Sequence, residues 1–121
     1  MDFSDLPTVI EDKFEREQAL IICLQFRPGK FEDEAVVNAL FDLEEIIQLV
    51  VEETGVGVYD GNEFLESPEE DSITFFIYGE NANDMYKEIE PLLAFLPNLP
   101  GSHITKCYDT SIHREEHVML S

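Results

Sequence analysis

The chain has 121 residues, of which 27 are Asp or Glu and 7 are Lys or Arg, so its formal net charge is −20 at pH 7. Leu, Ile, Val and Phe supply 39 residues, about a third of the chain, well above the roughly 20% below which a highly charged chain is expected to be disordered. The composition predicts one folded, strongly acidic domain. It excludes unaided binding to nucleic acid or to an anionic membrane, because both depend on clusters of Lys and Arg.

The first strand is predicted at Gln18–Phe26, a nearly continuous apolar run of strand length. Such a strand is buried on both faces and therefore lies inside its sheet. The residues before it, 1–16, mix acids with apolar side chains and predict an ordered arm. The segment Arg27–Lys30, with a Pro-Gly pair at its centre, predicts a loop.

A long helix is predicted over Glu32–Thr54. Acidic residues in its first turn suit the positive end of the helix dipole, and Gly55 follows as a helix-ending glycine. The apolar residues recur at spacings of three and four, which marks one stripe, formed by Val36, Leu40, Leu43, Ile47 and Val50 or Val51.

Two further strands are predicted after this helix. Gly55–Glu63 alternates and carries three glycines, as expected of an edge strand with a bend. Phe64–Asp71 is polar and predicts a turn, and Ser72–Tyr78 is apolar on both faces. The two strands therefore form a hairpin with one edge strand and one central strand.

A second helix and a last strand are predicted in the remaining chain. The helix begins at a cap, Asn81 or Asn83, and runs to about Leu96, with a kink or a fresh helix start at Pro91. Ser102–Tyr108 alternates polar and apolar residues as a final edge strand would, and the residues after it show no clear pattern.

The element order, βαββαβ, predicts a ferredoxin-like α+β sandwich: a four-stranded antiparallel sheet with two helices on one face. The first and third strands are central in this topology, and they are the two strands that are apolar on both faces. The domain is expected to span residues 17–108, between an N-terminal arm at 1–16 and a C-terminal tail at 109–121.

The face of the sheet away from the helices is expected to need a cover, because the central strands place apolar side chains on both sides. Three covers are possible: the N-terminal arm, a second subunit packed sheet to sheet as a homodimer, or the C-terminal segment with Ile112, Val118, Met119 and Leu120. We predict cover by the arm, dimerisation, or both.

Three segments carry a resemblance to known proteins: Gly57–Glu63, Phe76–Ala82 and Ile89–Leu93. They resemble a set of small uncharacterised bacterial proteins with a ferredoxin-like fold, over roughly residues 36–108. The resemblance implies the fold and a bacterial intracellular setting. It implies no reaction and no catalytic residue.

Two motifs could bind metal ions, and each has a plainer interpretation. His113–His117 matches the H-x-x-E-H pattern of one group of zinc peptidases if it is helical, but it lies near the C-terminus without a third ligand. Asp60–Glu63 offers carboxylates and an amide around a glycine, yet its spacing is not that of a calcium loop. A polar tail and a solvated acidic hairpin are the preferred interpretations.

A small-molecule pocket would need aromatic and polar groups brought together near strand ends. The candidates are Tyr59, Tyr78, Tyr108 and His103. No nucleophile elbow, phosphate loop or dinucleotide fingerprint is present. We therefore expect a protein that is not an enzyme and that uses no cofactor.

The cysteines and hydropathy predict a cytoplasmic protein. Cys23 and Cys107 each lie in an apolar run, and no signal peptide or apolar run of about 20 residues precedes or follows them. Two buried thiols are typical of a reducing compartment. A bridge between them would require their strands to be neighbours in matching register.

The negative charge is concentrated between Lys30 and Lys87, a stretch without any basic residue. We expect this segment to bind a basic protein partner, either as an immunity-like protein or as a mimic of the nucleic-acid backbone. The alternative is a small-molecule or divalent-cation-binding domain that uses the sheet face or its edge loops. The predicted partner-binding residues are Asp42, Glu44, Glu45, Glu52, Glu53, Glu66, Glu69, Glu70 and Asp71.

Overall fold

The computed structural model describes residues 18–94, 96, 99–109 and 114–120. Within these residues the chain folds as an α+β domain, and a short 3₁₀ helix at Lys30–Glu32 precedes the first α-helix. The elements are β1 (Gln18–Phe26), α1 (Glu34–Thr54), β2 (Val58–Glu66), β3 (Asp71–Gly79), α2 (Ala82–Leu93), β4 (His103–Asp109) and β5 (Arg114–Met119). The predicted arm at 1–16 lies outside the described residues.

The strands form one antiparallel sheet in the order β2-β3-β1-β4-β5. The first six elements follow the predicted βαββαβ order, and β1 and β3 lie inside the sheet as expected. The predictions of four strands and of an edge position for β4 are wrong, because β5 pairs along β4. The residues of β5 are mostly polar, so its hydropathy gave no strand signal. Polar side chains also suit an exposed edge strand.

Both helices pack on the same face of the sheet. Ile22 of β1 faces Phe75 of β3 on one side and Ile104 of β4 on the other, and all three are fully buried. The helices close this core with two stripes at spacings of three and four, formed by Leu40, Leu43, Ile47 and Val51 on α1 and Ala82, Met85, Ile89 and Leu93 on α2. The predicted helical periodicity therefore identifies the core-facing side of each helix.

The ends of α1 follow the expected capping chemistry. The Asp33 side chain accepts a hydrogen bond from the Ala35 amide at 3.0 Å, and Gly55 adopts a left-handed conformation with φ 70° beyond the last turn. In α2 the Asn81 side chain caps the Asp84 amide at 3.1 Å. This helix continues through Pro91 for two residues, so no fresh helix begins there.

The β2–β3 hairpin is shifted from its predicted position. Its strands join through residues 67–70, and a register shift between Tyr59 and Gly61 supplies the expected bend. Before β2, a Cβ on Gly57 would lie 2.5 Å from the Tyr78 carbonyl oxygen, so only glycine allows the two strands this approach.

Cys23 and Cys107 are not joined by a disulfide bond, and the register of the sheet explains why. Their strands are neighbours, but Cys23 pairs with His103 whereas Cys107 pairs with Ala19. Four residues of a strand separate the two thiols along the ladder, or about 13 Å, which is too far for a bridge.

No described element packs on the sheet face opposite the helices, which we call the second face. The C-terminal segment extends the sheet instead of covering it: Val118 points to the helix side with Ile104, and Met119 lies on the second face beside His103. Residues 114–120 of this segment, one of the three candidate covers, therefore do not cover the second face, while Ile112 lies outside the described residues. Cover by the arm or by a second subunit stays a prediction.

Candidate binding surface

The outward side of α1 is acidic and contains no basic residue. Four of the predicted binding residues are exposed there: Asp42, Glu45, Glu52 and Glu53. The core stripe of the helix points the other way. We call this side, from Asp42 to Glu53, the α1 outer face.

Two large apolar side chains lie exposed within the α1 outer face. Ile46 is 46% exposed and Leu49 is 54% exposed. Residues three and four positions apart are neighbours on a helix, so Leu49 is surrounded by Glu45, Ile46, Glu52 and Glu53. The surface therefore has an apolar centre with an acidic rim, which is the general arrangement of protein–protein interfaces.

The acids at the end of α1 lie where they destabilise the helix. Glu52 and Glu53 occupy the last turn, in which no basic residue is present, and the C-terminal end of a helix dipole is negative. Each unfavourable placement costs about 0.3–1 kcal/mol at an exposed position. A local hydrogen bond from Gln48 to Glu52 at 3.2 Å offsets part of this cost.

Glu44, the fifth predicted acid of α1, points to the sheet. Its Oε2 accepts hydrogen bonds from the Tyr59 hydroxyl and the Asn62 side-chain amide, both of β2. Burial of the phenol, together with the Glu44 carboxylate, raises the pKa of Tyr59 well above its ordinary value. Glu44 therefore fastens α1 to the edge strand and is not available to a partner.

The predicted hairpin acids separate into surface and structural groups. Glu66 and Glu69 are exposed and Glu70 is half-buried, around a turn closed by the Ser67 amide, which donates to the Glu70 carbonyl at 3.0 Å. Asp71 is only 3% exposed, and its carboxylate accepts from the Phe31 amide at 3.2 Å. The hairpin thus adds three acids to the surface.

A row of four phenylalanines connects the hairpin to α1. Ring centroids are 5.6 Å apart between Phe26 and Phe31, 5.1 Å between Phe31 and Phe64, and 6.0 Å between Phe64 and Phe41. Phe41 and Phe64 are 46% and 37% exposed. The row therefore holds β2 against α1 and leaves aromatic surface between the two groups of acids.

Sequence reasoning missed these exposed apolar residues, although a signal for them existed. Phe41 and Leu49 are not three or four positions from any residue of the core stripe of α1. Ile46 follows Leu43 by three positions and lies at the edge of this stripe, where it is 46% exposed. Apolar residues off the buried stripe of a helix indicate a second contact surface.

The acids of this surface lack cationic neighbours in the part of the chain that the structure describes. The two ion pairs found there join Lys106 to Glu116 at 3.9 Å and His117 to Glu115 at 3.5 Å. Both lie on β4 and β5, whereas β2 is the strand that contacts α1 through Glu44. The negative potential of the α1 outer face is therefore not neutralised by described groups.

The other candidate sites are not assembled. The Tyr59 hydroxyl points to α1. The Tyr108 hydroxyl donates to Asn83 Oδ1 of α2 at 3.0 Å, and its strand, β4, lies three strands away from the β2 strand of Tyr59. Tyr78 lies beside Ala19 on the second face, and His103 Nδ1 lies 3.0 Å from the Gly101 carbonyl. These residues do not share the pocket that the sequence suggested.

The H-x-x-E-H segment is a strand where it is described, and His113 lies outside the described residues. Its Glu116 points to Lys106 on the helix side, while His117 lies 3.0 Å from Thr105 Oγ1 on the second face. In residues 18–94, 96, 99–109 and 114–120, no group of three His, Cys, Asp or Glu side chains is placed to hold a metal ion. The described part of this segment is therefore not the helix that the zinc-peptidase interpretation requires.

A small cavity beneath α2 has room for about 30 Å³, far below the roughly 300 Å³ at which ligand pockets begin. It lies between the sheet and the end of α2, and is lined by Leu24, Leu93, Leu96, Leu99, Ser102 and Leu120. It offers space for about one water molecule.

The chain matches no model of a known protein family, no curated protein and no solved structure. The resemblance to small bacterial ferredoxin-like proteins therefore stays a prediction. Neither helix in the described ranges is long and apolar enough to cross a membrane.

Proposed function

We propose that this chain is a non-enzymatic binding protein that engages a basic protein partner through the α1 outer face. The observation that supports the proposal is the exposed pair Ile46 and Leu49 inside a rim of acids. An apolar centre supplies contact area, and the rim supplies charge that accelerates association with a basic surface and disfavours acidic competitors.

The cost in helix stability supports a role for the charge beyond solubility. Acids are equally solubilising anywhere on the surface, yet Glu52 and Glu53 lie at the end of α1 where the dipole opposes them. A binding function gives a reason for this position, because both residues flank Leu49.

The apolar centre favours an immunity-like protein over a mimic of the nucleic-acid backbone. A phosphate backbone presents regularly spaced charges, and a protein that replaces it needs acids more than exposed Leu and Ile. Within the proposal, the first six elements form a ferredoxin-like core in an intracellular protein, and the hairpin acids Glu66, Glu69 and Glu70 extend the charged rim.

The proposal is tested by capture from a cell lysate on the immobilised chain, followed by titration of each captured protein in solution. The test variant is Glu45→Lys with Glu53→Lys, which reverses the rim on two sides of Leu49. Leu49→Asp removes the apolar centre without removing acidity. The control is Glu90→Lys. Glu90 lies on α2 beside Tyr86, whose ring is covered by Lys106 of β4, so this residue lies outside the α1 outer face.

We expect the native chain and the control to retain the same basic protein, with affinity that falls as salt rises. Reversal of the rim should slow association, and Leu49→Asp should speed dissociation. A captured protein that is acidic, that binds equally at low and high salt, or that binds all variants equally would contradict the proposal.

A further inference from the structure

The second face of the sheet is depleted of charge in a chain that is otherwise rich in it. On the three inner strands, paired residues place their side chains on a common face. Among the residues through which β1, β3 and β4 pair with one another, those on this face include no Asp, Glu, Lys or Arg; they are Ala19, Ile21, Cys23, Gln25, Ser72, Thr74, Phe76, Tyr78, His103, Thr105 and Cys107. The outer strands place two acids on the same face, Glu63 of β2 and Glu115 of β5. More than a quarter of the whole chain is charged.

Apolar side chains continue from this centre to the corners of the face. Ile21 and Phe76 pair at its middle and are half-buried. Val58 and Leu65 at the two ends of β2 are 68% and 58% exposed, and Met119 of β5 is 59% exposed. A solvated antiparallel sheet face is normally polar, so this composition indicates a face that is covered.

We propose that the second face is a homodimer interface, in which two copies of this chain pack sheet against sheet. A symmetric interface requires a patch that is complementary to itself. Two α1 outer faces would oppose acids to acids across the whole contact, whereas the second face carries acids only at its edges, at Glu63 of β2 and Glu115 of β5. The second face is therefore the surface on which two chains of charge −20 are able to meet.

The area of the face is sufficient for a specific dimer. Five strands at about 4.8 Å spacing are roughly 24 Å wide, and strands of six to nine residues are roughly 20–30 Å long. The flat area is about 500–700 Å² on each copy, or at least about 1,000 Å² in total. It reaches the lower limit for biological interfaces when the two outer strands, with Glu63 and Glu115, are included.

A second copy fits this face better than the segment that precedes β1. Residues 1–17 include Asp2, Asp5, Glu11, Asp12, Lys13, Glu15, Arg16 and Glu17, so almost half of the segment is charged. Its apolar side chains, Phe3, Leu6, Val9, Ile10 and Phe14, are scattered among these charges. Covering the uncharged inner strands with this segment would therefore bring some of the charges to the face as well, which is unfavourable. A copy of the second face brings none to the centre.

The test combines the mass of the full chain in solution with the reactivity of Cys23, which lies half-buried on the second face. Light scattering after gel filtration gives the mass at several protein and salt concentrations. Maleimide labelling, located by peptide mass spectrometry, gives the accessibility of Cys23 with no substitution. We expect a dimer that salt strengthens, because screening reduces the repulsion between two acidic copies, and labelling that slows at least tenfold as the dimer forms.

Thr74→Arg places a cation at the centre of the second face, between Cys23 and Glu63 in neighbouring strands. The matched control, Thr54→Arg, makes the same change at the exposed end of α1. We expect the first variant to be monomeric and the second to remain dimeric, with circular dichroism confirming that both are folded. If Thr74→Arg is unfolded, the concentration dependence of Cys23 labelling in the native chain decides the question.

Two outcomes would overturn the inference. A native monomer with slow Cys23 labelling at every concentration would mean that the face is covered within one chain. A native monomer with fast labelling would mean that the face is open to solvent. Neither outcome affects the proposed partner surface, which lies on the opposite side of the sheet.

Discussion

The contact between Glu44 and β2 makes the sharpest stability prediction. One carboxylate oxygen accepts from both the Tyr59 hydroxyl and the Asn62 amide in a half-buried setting. Hydrogen bonds to charged groups contribute about 1.5–3 kcal/mol each, and partial exposure places these at the lower end. We expect Tyr59→Phe to lower the free energy of unfolding by about 1–2 kcal/mol, and Glu44→Ala by about 2–3 kcal/mol because it leaves both donors without their acceptor.

The two residues are coupled, so a double-mutant cycle tests the contact directly. Urea unfolding followed by circular dichroism should give a coupling free energy of about 1 kcal/mol or more between Tyr59→Phe and Glu44→Ala. Glu45→Gln removes an exposed neighbouring charge and should change the free energy of unfolding by less than about 0.5 kcal/mol. Additivity within about 0.3 kcal/mol would refute the assignment of Glu44 to the fold.

The same contact predicts a response to alkaline pH. Burial, and then the Glu44 carboxylate, raise the pKa of Tyr59 in the folded chain above the ordinary value of 10.0. Above pH 10 the unfolded chain therefore loses this proton more readily than the folded chain, which favours unfolding. The stabilisation is complete below pH 10 and declines as pH rises. Unfolding midpoints measured from pH 8 to 11 should fall more steeply for the native chain than for Tyr59→Phe, and parallel curves would contradict the mechanism.

Three further substitutions follow from single contacts. Ser102→Ala should lower the free energy of unfolding in urea by about 1–2 kcal/mol, because the fully buried hydroxyl accepts a hydrogen bond from the backbone N–H of Gln25 at 2.8 Å. Gly57→Ala should lower the melting temperature through about 1–3 kcal/mol of overpacking against the Tyr78 carbonyl; an unchanged melting temperature would mean that the strands separate freely. Glu53→Lys should raise the free energy of unfolding by about 0.3–1 kcal/mol in low salt, because a cation suits the end of α1, and a destabilised variant would show that Glu53 has an internal role.

The parts of the fold that sequence predicted are those in which a buried pattern repeats. Leu20, Ile22 and Leu24 alternate with residues of the second face, and Leu40, Leu43 and Ile47 follow a helical spacing. Both patterns arise because each element presents one side to the same core. The apolar residues therefore recur in the sequence at the period of the strand or of the helix. The strands β1 and β3 and both helices were predictable for this reason.

The parts that sequence did not predict depend on pairing with a neighbour. β5 consists of Arg114–Met119, whose side chains are mostly polar because it lies at the edge of the described sheet. What makes it a strand is its backbone ladder to β4 and single contacts such as Lys106 with Glu116. Neither leaves a periodic hydrophobic signal, and the position of β4 inside the sheet was therefore not predictable either.

The sequence predicted the charge of the candidate surface. It did not predict which of the acids are exposed and which make contacts inside the fold. Acid content identified the segment, but Glu44 and Asp71 look the same in sequence as Glu45 and Glu69. Only the fold turns the first two inward, to the donors of β2 and to the Phe31 amide. A run of like charges therefore indicates where a surface lies, whereas the contacts decide which of its members are free to bind.

The two proposed interfaces respond to salt in opposite directions, and this follows from how the fold distributes charge. The acids are gathered on α1 and the hairpin, while the residues that pair the inner strands with one another place none on the second face. Attraction between the α1 outer face and a basic partner weakens when salt screens it, whereas the long-range repulsion between two acidic copies is relieved. If salt changed the affinity for the basic partner and the affinity of dimerisation in the same direction, one surface would serve both contacts. Opposite changes are the result expected of two interfaces on opposite sides of one sheet, an arrangement in which a dimer carries two outward α1 faces for two partners.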